Sequence, residues 1–179
     1  MTSITRTLLA GLLAGGLLAT QFSTLTFAQA GGADATQLAT FKSWTAWKGK
    51  DASGDVCYIS SQPQKSEPAN VNRSPIHFLI IHRKGMGTKN EVQTLIGYPF
   101  NTTNSNASAA IDGKSYPMVT DGEGAWLADT SGEAAFVAAM KAGTNLVVKG
   151  TSQRGTVTTD TYSLSGVTAA MTEIDNACA

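Results

Sequence analysis

From Phe41 onward, apolar residues alternate with polar ones in short runs between turn residues, the period of strands rather than helices. "FKSWTAW" (41–47) reads as a first strand, with "ASGD" (52–55) the turn before a second, "VCYIS" (56–60). "QPQKSEPANVNRSP" (62–75) is too rich in proline and polar residues for either element and is expected as a long loop. "IHFLIIH" (76–82) is a continuous apolar run of strand length, bounded by Pro75 and "RKGMG", as for a strand in the core. "NEVQTLIGYPF" (90–100) reads as another strand, ended by Pro99. After the low-complexity loop "NTTNSNAS", a hairpin "SAAIDGKSYPMV" is expected to turn at Asp112-Gly113. "TDGEG" separates it from a short strand, "AWLA". The last hairpin is "NLVVKGTSQRGTVTTDTYSL", with "SQRG" at its tip.

Two segments change to the helical period. In "DTSGEAAFVAAMKAG" (129–143), Thr130 and Glu133 are spaced as a capping box, and the alanines favour helix. Lys141 suits the last turn, Gly143 provides a stop, and Phe136 and Met140 share one face. After Ser165 as the expected N-cap, apolar residues fall at Val167, Ala170, Met171, Ile174, Ala177 and Cys178. Eleven steps of about 100° return Cys178 to within roughly 20° of Val167, so the penultimate residue faces inward.

The first thirty residues have a different pattern. "MTSITR" carries Arg6 as its only charge, "TLLAGLLAGGLLA" is an apolar core, and "FAQA" places small residues at Ala28 and Ala30. This is the order of a secretory signal with cleavage after Ala30. The run Thr7–Ala19 is too short to span a bilayer, which takes about 20 apolar residues. No later segment is apolar enough to span, so no membrane span is expected in the mature chain. Residues 31–40, "GGADATQLAT", read as a flexible lead-in, and 41–179 as a single domain.

Composition narrows the function. The chain has 13 basic and 13 acidic side chains, and losing Arg6 leaves 12 against 13. That balance gives no electrostatic footprint for nucleic acid or an anionic membrane. Two cysteines in an exported chain, Cys57 and Cys178, read as one disulfide tying the last helix to an early strand; two free thiols are the alternative. They are too isolated to supply a zinc site.

Candidate chemistry is sparse. His77 and His82 are five apart, so along a strand they face opposite sides and cannot share a metal without a bulge. "GTSQRG" is not the G-x-S-x-G elbow of a serine hydrolase, and the βα alternation such an elbow needs is missing. "DASGD" and "DGEG" lack calcium-loop spacing and read as turns. Trp44 and Trp47 are three apart in a strand and point to opposite faces, so one of them needs cover from a loop or a partner. Arg154, at the tip of the last hairpin, is also free to make a contact.

The segment "VVKGTSQRGTVTTDTYSLSGVTAAMTEIDNAC" closely resembles the invasion-associated locus B (IalB) family of alphaproteobacterial exported proteins. "CYISSQP", "IGYPF", "IDGKSY" and "AFVAAMKAG" follow in the order of one branch of that family, so the resemblance covers roughly 44–178. Many members carry a further cysteine before the middle helix, where this chain has "TSGEAAF". The resemblance implies a predominantly β protein of the periplasm or cell surface, and it supplies no catalytic residue, cofactor or metal ligand.

The combined expectation is a mainly β domain, an antiparallel sandwich or partly closed barrel with two short covering helices, one C-terminal. Its expected function is that of a non-enzymatic envelope protein, a protein-interaction or binding module for an envelope or host component. Trp44 or Trp47, with Arg154, are the candidate contacts. The alternatives are a periplasmic hydrolase built on His77 or His82, and a small-ligand carrier with an enclosed pocket.

Overall fold

The structure, a computed structural model, describes residues 35–179. The expected signal segment, its cleavage site after Ala30 and the start of the lead-in lie outside the described residues.

Eleven strands form one antiparallel sheet. In chain order they are β1 (Thr36–Phe41), β2 (Trp44–Asp51), β3 (Gly54–Ser61), β4 (Lys65–Glu67), β5 (His77–Arg83) and β6 (Thr88–Leu95). Then come β7 (Ser108–Ile111), β8 (Lys114–Asp121) and β9 (Gly124–Leu127). Helix α1 (Glu133–Ala142), β10 (Asn145–Thr151), β11 (Val157–Ser163) and helix α2 (Val167–Ala177) complete the chain. The spatial order is β1-β2-β3-β5-β6-β9-β8-β7-β10-β11-β4, so β1 and β4 are open edges and the sheet does not close. The expected fold class therefore holds, with both helices in place.

Two expectations about boundaries are corrected. The lead-in was expected to reach residue 40 and the first strand to start at Phe41. Instead β1 occupies 36–41, the chain reverses at Lys42 (φ 54°), and Phe41 faces Trp44 across a tight turn. β1 has little apolar alternation of its own; pairing along β2 makes it a strand. The 62–75 loop likewise contains β4, three residues held against β11 at Lys65–Glu67.

Where turn chemistry was explicit, the register follows it. Asp112 and Gly113 adopt φ 45° and 92°, both positive as a two-residue I′ turn requires, and Ile111 pairs with Lys114. The main core gathers around Phe78, whose ring lies 6.5 Å from Trp44, 6.1 Å from Phe136 and 5.9 Å from Tyr162. One aromatic from the apolar "IHFLIIH" run thus joins β2, α1 and β11.

Both helix caps differ from expectation. At α1 the capping box does not form. Asp129 accepts from the Ser131 N–H, while Glu133 turns away and accepts from the Val92 N–H at 3.1 Å. β9 pairs with β6 only at Gln93, Thr94 and Leu95, so beyond that ladder Glu133 supplies the acceptor that Val92 needs. At α2 the N-cap is Gly166, not Ser165, with φ 95°. A Cβ there would sit 1.9 Å from the Phe41 carbonyl oxygen, so only glycine fits this crossing of chains.

The disulfide joins Cys57 to Cys178, with Cα atoms 6.0 Å apart, and both residues are buried in the core. The same end of α2 is held by His82 to Asp175 at 3.0 Å and by Lys48 donating to the Ala177 carbonyl at 2.9 Å. The terminus stays docked because three different interactions meet on its last turn.

Candidate functional site

The two tryptophans of β2 separate as their spacing requires. Trp44 is fully buried and donates from Nε1 to the Ser163 carbonyl at 2.9 Å. It belongs to the core, and its place among the candidate contacts is withdrawn on that geometry. Trp47 lies half-buried on the outer face, stacked on Tyr58 with ring centroids 6.1 Å apart. Its Nε1 donates to Ser60 Oγ at 3.0 Å, which fixes the ring's position.

Trp47 forms one wall of a cleft of about 390 Å³ that also contains His77 and the hydroxyls of Thr45 and Ser60. Gln62 belongs both to this cleft and to a second, of about 530 Å³, running along the proline-rich 62–76 segment. Val71, Asn72 and Arg73 are shared between the second cleft and a third, of about 300 Å³, bounded by Tyr98 and Arg154. The three adjoin as a belt, with Trp47 at one end and Arg154 at the other. No aspartate, glutamate or lysine lines any of them among the described residues.

The shared wall is anchored by a buried ion pair. Arg73 donates to both carboxylate oxygens of Asp160 (2.9 and 2.6 Å) and twice to the Ile96 carbonyl (2.9 and 2.6 Å). The Arg73 side chain is 5% exposed and that of Asp160 0%. Ser66 adds a bond to Asp160 at 2.7 Å, and the Tyr98 ring lies 5.1 Å from the guanidinium carbon. Tyr98 is hydrogen-bonded to Thr158 at 2.7 Å, and burial holds its phenol above the ordinary value, so it stays protonated. With its donors turned to Asp160 and Ile96, Arg73 is a strut rather than a ligand-binding cation. Sequence reasoning missed this pair. The available signal was Asp160 itself, in phase along β11 with the buried Thr158 and Tyr162 and therefore needing a cation.

Arg154 is the opposite case. It sits at the exposed tip of the β10–β11 hairpin, where the Gly155 N–H bonds to the Ser152 carbonyl and the Thr156 N–H to Ser152 Oγ. Its guanidinium makes no ion pair or hydrogen bond with the described residues.

The histidines sit on opposite faces. His82, on the inner face beneath α2, accepts from the Asn90 N–H at Nδ1 (3.1 Å), which leaves the proton on Nε2 facing Asp175. Both ring nitrogens are committed and neither meets a serine. His77 lines the Trp47 cleft, where burial lowers its affinity for a proton. Serines lie nearby, but the cleft brings no carboxylate to orient the ring as a base. Among the described residues no group of three or more His, Cys, Asp or Glu could hold a metal. "DASGD" is a turn, in which Asp51 accepts from the Ser53 N–H and hydroxyl. No helix of the described residues is long and apolar enough to cross a membrane.

Comparison with known proteins gives one match. The family model described as "Invasion associated locus B (IalB) protein" covers residues 44–175, from the first residue of β2 to the partner of His82. No curated protein and no solved structure matches the chain.

Proposed function

The chain belongs to the invasion-associated locus B family, and on that footing we propose that it is an exported envelope protein that works as a binding module. The N-terminal pattern of a basic residue, an apolar core and a small-x-small site supports export. The disulfide fits an oxidising compartment such as the periplasm or cell surface. The observation that carries the binding role is the belt of adjoining clefts. It links Trp47 and Arg154, and a buried ion pair fixes the wall between two of its clefts. An open, rigid, extended surface suits a partner from the envelope or the host better than an enclosed small ligand does.

The test is a photo-reactive p-benzoylphenylalanine placed singly at Gln64, at Gln153 or, as a control, at Lys141 on α1, in cells producing the full chain. One adduct shared by Gln64 and Gln153 and absent at Lys141 is expected. Trp47→Ala and Arg154→Glu should abolish it while leaving thermal unfolding within a few degrees of the parent. The same adduct pattern at Lys141, or no adduct at either belt position, refutes the proposal.

A further inference from the structure

We propose that the belt binds an oligosaccharide carrying acidic sugars; this rests on the binding-module reading and names its ligand class. Four side-chain amides, Gln62, Gln64, Asn72 and Gln153, line the belt. All four residues are exposed, and no side-chain amide among them bonds to the described residues. Each presents a donor and an acceptor side by side, the pairing that adjacent sugar hydroxyls match. The hydroxyls of Ser60, Ser61 and Ser66, by contrast, each make an internal hydrogen bond.

An aromatic ring stands at each end, Trp47 in the first cleft and Tyr98 in the third. The electron-rich face of such a ring attracts the C–H face of a pyranose, whose hydrogens carry partial positive charge. Charge selects among sugars. The clefts contain no carboxylate to repel an anion, and Arg154 offers an unpaired guanidinium whose fork matches a carboxylate.

A polypeptide fits less well. Pro63, Pro68, Pro75 and Pro99 line the clefts, and proline has no N–H to offer an added strand.

The experiment is titration calorimetry with amide-detected NMR on the purified exported protein, using tetragalacturonate as the acidic probe and cellotetraose as the neutral one. Tetragalacturonate is expected to bind, to shift the side-chain amides of Gln62, Gln64, Asn72 and Gln153, and to bind more tightly than cellotetraose. Arg154→Gln, at an exposed tip, should weaken tetragalacturonate about tenfold, the effect of losing one charge-assisted bond, and remove the preference. Equal affinity for the two sugars, binding unchanged by Arg154→Gln, or no binding of either at millimolar concentration overturns the inference. So does a protease-sensitive photo-adduct at Gln153 without sugar binding, although the binding module itself then stands. Absence of both sugar binding and belt adducts defeats the two together.

Discussion

Replacing Cys178 with serine removes the bond between α2 and β3 while leaving a side chain of nearly the same size in its place. The bridge spans a sequence separation of 121 residues. By the chain-entropy relation a loop of that length is worth about 5 kcal/mol, and native bridges measured in small exported domains give roughly 2–5. Helix α2 should nevertheless stay docked. Val167, Met171 and Ile174 are buried by their own packing, and the Asp175 and Ala177 contacts do not involve sulfur. The loss therefore falls mainly on the unfolded ensemble, which becomes less compact. For a domain of this size the melting temperature should fall by roughly 10–20 °C. The urea m-value should rise, because the unbridged chain exposes more surface on unfolding. Cys57→Ser should behave alike, and the double variant should be no worse than either single one, since all three remove the same bond. The assay is paired thermal and urea unfolding, with thiols titrated to confirm redox state. Coincident transitions for the bridged and fully reduced parent would refute the argument.

Other perturbations probe the strut, the sheet-capping glutamate and the glycine crossing. Arg73→Met leaves Asp160 charged, buried and supported only by Ser66, and should cost about 3–5 kcal/mol in urea unfolding. Adding Asp160→Leu should recover most of that loss; a double variant as unstable as the sum of the singles would show that the pair is not a unit. Burial raises the Glu133 carboxyl above its ordinary 4.5, with the Val92 N–H opposing. Its folded pKa exceeds its unfolded one, so the protein's stability falls as pH rises from about 4.5 through the folded value. Glu133→Gln keeps an acceptor for Val92 and should remove that decline, matching the parent at pH 4 and exceeding it at pH 7 in urea midpoint. The reverse order at pH 7 sinks the argument. Gly166→Ala would place a methyl 1.9 Å from the Phe41 carbonyl, at φ 95°, and should lower stability by at least about 2 kcal/mol. A melting point within a degree of the parent contradicts that crossing.

What the sequence made legible was whatever a local pattern determines. The Asp112-Gly113 turn was readable because its residues tolerate positive φ, and the β10–β11 hairpin because its apolar alternation is long. The disulfide was readable because two cysteines leave one pairing and helical phase turns Cys178 inward. The failures have one cause. β1 and β4 lack strong patterns and are strands only because β2 and β11 offer edges to pair with. Glu133 has the spacing of a capping box, but the Val92 amide, 41 residues away, takes its carboxylate. Arg73 and Asp160 are 87 residues apart, so nothing local connects them. The alternation showed that one of Trp44 and Trp47 must face outward, not which one; the belt became visible only once folding set the 62–76 segment beside Tyr98 and Arg154.

The division of labour among polar groups bears on what this protein does. Groups with strong directional chemistry are consumed inside the fold. Arg73 and Asp160 neutralise each other, His82 has both nitrogens occupied, and the Arg83 guanidinium is shared between Asp51 and Glu91. What faces the belt's clefts without a side-chain partner is neutral amides, the His77 imidazole, whose basicity burial lowers, and one exposed guanidinium, beside the Trp47 and Tyr98 rings. A catalytic site needs a titratable group poised at its substrate with a partner to orient it. A binding surface for an extended ligand needs many modest contacts on a wall that does not move. Between two of the clefts the buried Arg73–Asp160 ion pair holds such a wall, and in the proposed binding role Arg73 would support that wall while Arg154 makes the contact.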